Sequence, residues 1–155
     1  MLSLTVLSTA QSLVGAWQST TESNDGSSTS SYVFNHRHEI TYLMNFSFPS
    51  NGNTIYGTLT FSGTYTRAGQ ILNMKFDMKK ATLTIDDVKG PNGRLSASEI
   101  QKIKTEIAVV MEQYRQMMAS SMPESVTAKI KRITANELVF ENNGKEEILK
   151  RVADK

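Results

Sequence analysis

His36 and His38 stand two residues apart, a spacing that puts both imidazoles on one face of a strand, as metal ligands sometimes are. No third ligand accompanies them, because the adjoining carboxylate, Glu39, falls on the opposite face. The pair therefore reads as a solvent-exposed strand end. Asp86 and Asp87 are adjacent, so a strand directs them to opposite sides and they form no acid–base pair by themselves. The stretch Asn92-Gly93-Arg94-Leu95-Ser96-Ala97-Ser98-Glu99 has the Asn, Gly, Leu and Glu offsets of the second half of a calcium-binding EF-hand loop. Counting back from Glu99 puts Val88 and Gly90 at the first and third ligand positions, so two of the oxygen ligands are absent. Ser96 followed by Glu99 is read instead as a helix capping box. The chain has no Gly-x-Ser-x-Gly elbow, no Ser partner evident for either histidine and no glycine-rich phosphate loop. It also has no cysteine, which excludes thiol catalysis, disulfides and cysteine metal sites. The expectation is a non-enzymatic protein with no catalytic residue, no metal and no cofactor.

Charge points away from nucleic acid. The net charge is +2, and the first half carries only Arg37, Arg67 and Lys75 against Glu22, Asp25, Glu39 and Asp77. Neither half has the basic footprint that phosphate binding requires. The run Lys129, Lys131, Arg132 reads as the wet face of a strand. At 155 residues the chain is long enough for one domain, and no stretch approaches the roughly 20 apolar residues of a membrane-spanning helix. Residues 1–12 (MLSLTVLSTAQS) are apolar and end in small residues, either as the remnant of a trimmed export signal or as a lead-in to the first strand. The remainder, 13–155, reads as a single domain, exported to the periplasm or cell envelope.

The elements follow from periodicity. Ile40, Tyr42, Met44, Phe46 and Phe48 alternate with polar residues, as do Ile55, Gly57, Leu59, Phe61, Gly63 and Tyr65. Period 2 places each set on one side of a strand, whereas a helix would scatter it. Asp25-Gly26, Asn51-Gly52 and Asn143-Gly144 mark hairpin turns, because Asn and Gly tolerate positive φ. Ala68-Gly69 and Ala135-Asn136 read as further reversals. Strands are expected near 13–21, 30–36, 38–48, 54–66, 70–78, 80–88, 126–133, 137–142 and 145–152. Ile100, Ile103, Ile107, Val110, Met111, Tyr114, Met117 and Met118 form one apolar helical stripe, which Pro123 ends. The fold class is mainly β: an antiparallel up-and-down meander of eight or nine strands, with one amphipathic helix inserted before the last strands. Closure into a barrel is the economical way to remove exposed edges, and a two-sheet sandwich is the rival. The helix packs on the barrel or plugs one end, and the Ser/Thr-rich segment 19–31 reads as a mobile hairpin loop at its mouth.

Leu13-Val14-Gly15-Ala16-Trp17 resembles the Gly-x-Trp opening of the lipocalin and calycin group. Ser62-Gly63-Thr64-Tyr65, the turn Ile133-Thr134-Ala135-Asn136-Glu137-Leu138 and the terminal Lys150-Arg151-Val152 resemble bacterial lipocalin-like domains in particular. The resemblance runs from Leu13 to Val152. It implies that Trp17 closes one end of a barrel and that Arg151, on the last strand, lies across it. It also implies that the interior holds a small apolar ligand. One feature departs from the pattern: lipocalins carry their helix after the eighth strand, and fatty-acid-binding proteins carry a helix pair after the first.

Candidate ligand contacts are the inward positions Trp17, Tyr32 and Phe34 on the first strands, then Tyr42, Met44 and Phe46 on the third. Leu59, Phe61 and Tyr65 follow on the fourth, with Met74, Phe76 and Leu83 beyond. Aromatic and Met side chains suit either an adaptable apolar pocket or a plain core. A filled barrel acting through its surface, as a cell-envelope interaction module, is the alternative function.

Overall fold

A computed structural model describes residues 12–23, 26–121 and 123–152. Its strands are β1 (Gly15–Ser23), β2 (Gly26–Phe34), β3 (Glu39–Ser50), β4 (Asn53–Ala68) and β5 (Ile71–Phe76). A 3-10 turn (Met78–Lys80), β6 (Thr82–Gly90), the two-residue β7 (Gly93–Arg94) and the helix α1 (Ala97–Ser121) come next. The chain ends in β8 (Ser125–Ile133), β9 (Glu137–Asn142) and β10 (Lys145–Arg151). Residues 1–11 and Asp25, the first residue of an expected turn, lie outside the described residues.

Alternation turns into burial along these strands. In β5 Leu72, Met74 and Phe76 are buried and their neighbours exposed, and β4 buries Ile55, Leu59, Phe61 and Tyr65. Asn51-Gly52 and Asn143-Gly144 have φ of 50° and 81° and of 53° and 80°, so both are reversals with two left-handed residues, as expected. The segment 19–31 is a hairpin, as expected, but with longer strands. Its backbone is paired from Ser19↔Ser30 to Ser23↔Gly26, because ladder hydrogen bonds need no apolar side chain.

All pairings are antiparallel. Eight strands close in the order β1-β2-β3-β4-β5-β8-β9-β10, and β10 returns to β1. The fold is therefore a closed barrel and not a sandwich. The helix falls late in the chain because β6, β7 and α1 form one insertion between two neighbouring barrel strands. The insertion leaves and re-enters at one point, where the Phe76 N–H donates to the Glu124 carbonyl at 2.7 Å. β4 makes this possible by its length. One edge pairs with β3 along Asn53–Thr64, while the other holds β6 along Thr54–Thr60 and β5 along Gly63–Ala68. At the hand-over a Cβ on Gly63 would overlap the Lys75 carbonyl. β3 has no β2 partner beyond Asn45, so its outer half and that of β4 form an arm that β6 extends.

The helix lies on this arm against β6 and the 3-10 turn. Ser96 caps it as expected, with its Oγ accepting from the Glu99 N–H at 3.2 Å. Met111 is buried, and Tyr114 meets Phe46 with ring centroids 5.8 Å apart. Met118 reaches the barrel core. Val110 and Met117 are 59% and 58% exposed, since a narrow arm covers only part of the stripe. No helix among the described residues is long and apolar enough to cross a membrane.

The base of the barrel is filled. Trp17, Phe34, Leu72, Leu138 and Leu149 are fully buried there, and Leu13 packs with them. Trp17 pairs directly with Arg151, whose guanidinium carbon sits 4.2 Å from the indole centroid. The Trp17 indole N–H donates to the Leu13 carbonyl at 2.8 Å. Arg151 donates from Nε to the Ala135 carbonyl at 2.6 Å and from Nη1 to the Val14 carbonyl at 3.1 Å. Gly15, with φ of 134°, is what leaves room, because a Cβ there would overlap Arg151 Nη1. Trp17→Ala is expected to cost about 3–5 kcal/mol by emptying this base, and Gly15→Ala to destabilise by displacing the guanidinium. Urea unfolding checks both; an unchanged free energy for Trp17→Ala would show that the base holds without the indole.

Candidate functional site

The barrel closes at one end only. Trp17, Phe34 and Leu149 belong to the closed base, and the inward positions one pleat further along the same strands are Ser19, Tyr32 and Glu147. Phase alone brings these three together, because residues i and i+2 share a face. With Tyr42, Met74, Phe76, Val126 and Phe140 they line a half-open cavity of about 580 Å3. Ser30, Asn142, Lys145 and Glu146 stand around its edge with Pro123.

One wall is a continuous chain of rings. Phe140 meets Tyr32 edge to face at 5.5 Å, Tyr32 meets Tyr42 at 4.8 Å, and Tyr42 meets Phe76 at 6.4 Å. These spacings lie within the range of favourable aromatic pairs. Met74 and Val126 are cross-strand partners on the facing strands β5 and β8.

A polar group is set into this wall. Glu147 lies directly across from Phe140 on β9 and takes two hydroxyl donors, Ser19 Oγ at 3.4 Å and Tyr32 OH at 3.3 Å. Both are longer than the usual O–H···O distance of about 2.8 Å. Tyr42 OH and Ser30 Oγ share a hydrogen bond of 3.1 Å. Burial raises the Glu147 carboxyl above the ordinary carboxylate range, against the lowering effect of its Tyr32 and Ser19 donors. Burial likewise pushes the Tyr32 phenol far up, with Glu147 adding to the shift, and raises Tyr42. Both tyrosines therefore remain neutral donors at ordinary pH.

The residues named from the sequence fall into three places. Tyr32, Tyr42, Met74 and Phe76 line the cavity. Trp17, Phe34, Leu59, Phe61 and Tyr65 are buried in the core, with Tyr65 held by a 2.8 Å hydrogen bond from its hydroxyl to the Asn35 carbonyl. Met44 and Phe46 pack against that core, Phe46 on the arm under the helix. Leu83 also touches it, but from β6, where it lines a second cleft of about 380 Å3 between β6 and α1. Among the cavity residues that sequence reasoning passed over are Ser19, Ser30, Val126, Phe140 and Glu147. The signal was present in the phase of β10: Leu149 and Arg151 face inward, so Glu147 must as well.

The histidines are exposed, as expected, but lie in the turn between β2 and β3. His38 has φ of 62° and its ring lies 5.5 Å from that of Tyr65. Among the described residues no group of three His, Asp or Glu side chains is placed to hold a metal ion. Lys129, Lys131 and Arg132 all face out, and a bulge in β8 is what lets the adjacent Lys131 and Arg132 do so. Lys131 pairs with Glu141 at 3.0 Å, and Arg132 and Lys150 both meet Glu137.

No protein-family model matches the sequence, and no curated protein matches it.

Glu147 gives the site a pH signature. Tyr32 and Tyr42 face it from β2 and β3, Ser19 from β1 and Asn142 from the β9 end, with Lys145 and Glu146 at the rim of its own strand. Its carboxyl keeps a proton to higher pH when folded than when unfolded. The resulting stabilisation is full below the unfolded carboxyl pKa and is lost as pH rises through the folded one. Wild type is thus expected to lose stability relative to Glu147→Gln as pH rises above the ordinary carboxyl value of 4.5. Urea midpoints of the two proteins measure this, and a constant difference would mean that Glu147 titrates as an ordinary carboxylate.

Proposed function

We propose that this chain is a non-enzymatic, lipocalin-like binding domain that takes a small, largely apolar ligand into the open half of its barrel. The observation that carries the reading is the division of the interior. A packed base supports a cavity of about 580 Å3 walled by aromatic and Met side chains. Small-molecule sites are typically about 300–1,000 Å3, mostly apolar, with a few converging polar groups. Ser19, Tyr32 and Glu147 are such groups.

The lipocalin-like assignment draws on the Trp17–Arg151 closure and on an eight-stranded ring in which consecutive barrel strands are neighbours. Export to the periplasm or cell envelope is part of the same proposal and draws on the apolar segment 1–12, which ends in small residues. The second reading, an envelope module acting through its outside, draws on the exposed Val109, Val110 and Met117 of the helix.

Native mass spectrometry of the freshly purified protein, set against the same sample after organic denaturation, separates the two. A reproducible mass excess lost on denaturation is expected. Met74→Trp, which fills the cavity from its wall, is expected to abolish the excess while the protein stays folded by circular dichroism. Bare wild-type protein at every charge state would favour the surface-acting module.

A further inference from the structure

We propose, resting on the small-molecule reading of this same cavity, that its ligand is a cationic amine whose ammonium group pairs with the Glu147 carboxylate. Three observations point to that charge. First, Glu147 is set into an apolar wall with no cation at ion-pair distance among the described residues. A carboxylate drawn out of water without a counter-charge is costly, and a ligand that brings the charge removes the cost. Second, its hydrogen bonding among the described residues is incomplete. An ionised carboxylate offers about four acceptor positions, whereas among the described residues Glu147 takes two donors, at 3.3 and 3.4 Å. Third, the rings of Phe140, Tyr32, Tyr42 and Phe76 form one connected wall of the same cavity, with Phe140 directly across the ladder from Glu147 and Tyr32 donating to it. Aromatic faces attract ammonium groups and more so when water is excluded.

The rest of the lining does not offset this selectivity. Lys145 and Glu146 at the rim are of opposite charge, so among the described residues the net charge of the cavity wall is that of Glu147. An anionic ligand meets a like charge and cannot be paid back by the wall. A cationic ligand would also keep Glu147 ionised, so amine binding releases a proton wherever the free carboxyl holds one.

Isothermal titration of the full chain with three indoles of similar size and different charge tests the proposal: tryptamine (cation), 3-ethylindole (neutral) and indole-3-propionate (anion). Tryptamine is expected to bind at least about tenfold more tightly than 3-ethylindole, with indole-3-propionate weakest. Glu147→Gln is expected to bring tryptamine down to the level of 3-ethylindole. Equal binding of tryptamine and 3-ethylindole by wild type, or an amine preference that survives Glu147→Gln, overturns the amine proposal and leaves the small-molecule reading standing. Failure of all three indoles to bind wild type overturns the amine proposal, and the mass-excess measurement decides the small-molecule reading independently. The wild-type comparison needs no variant, so it decides the matter even where Glu147→Gln does not fold.

Discussion

The first barrel strand pairs with the last, and Trp17 stands opposite Arg151 in that seam. Antiparallel hydrogen bonding would leave two open edges without this pairing, and open edges recruit other chains. The indole and guanidinium do more than mark the seam. Arg151 bridges the carbonyls of Val14 and Ala135 while covering the ring, so one side chain ties the lead-in, the β8–β9 turn and the barrel floor together. Gly15 is the condition for this arrangement, because any side chain there would occupy the position of the guanidinium.

Once the floor is set, the interior divides. The lower inward positions are large and apolar and close on one another, so that Phe34, Phe61, Leu72, Leu138 and Leu149 leave no entry. One pleat higher the same strands place Ser19, Tyr32 and Glu147 inward, and the packing opens into a cavity. The difference is one of side-chain volume and polarity at equivalent positions of one ladder, not of backbone path. Serines do not fill the space that an indole fills, and a carboxylate does not associate with apolar neighbours without a partner.

The insertion of β6, β7 and α1 follows from a surplus on β4. A strand that outruns its β5 neighbour exposes an edge, and β6 covers it. Gly57 on this arm faces Phe46, whose ring occupies the volume a Cβ would need, and Tyr114 of the helix closes over the same ring. The helix is therefore attached through the arm and leaves the mouth of the barrel to Pro123 and the strand ends.

Much of this was determined by the sequence by itself. Alternation in 40–48 and 55–65 set strands and their inward faces, Asn51-Gly52 and Asn143-Gly144 set reversals, and Ser96 with Glu99 set the helix start. These are local properties, in which each residue's period, φ preference or cap acts within a few positions of the chain. The tertiary structure alone decided which strands neighbour which, and so made the late helix an insertion and not part of the ring. It alone decided that Tyr32, Tyr42, Met74 and Phe76 face a cavity while Phe34, Phe61 and Tyr65 are core, although all seven alternate alike. It also brought Glu147 to Ser19 and Tyr32, from positions 128 and 115 residues apart. Height along the barrel axis is fixed by inter-strand register, and register is a relation between distant segments that no local pattern carries.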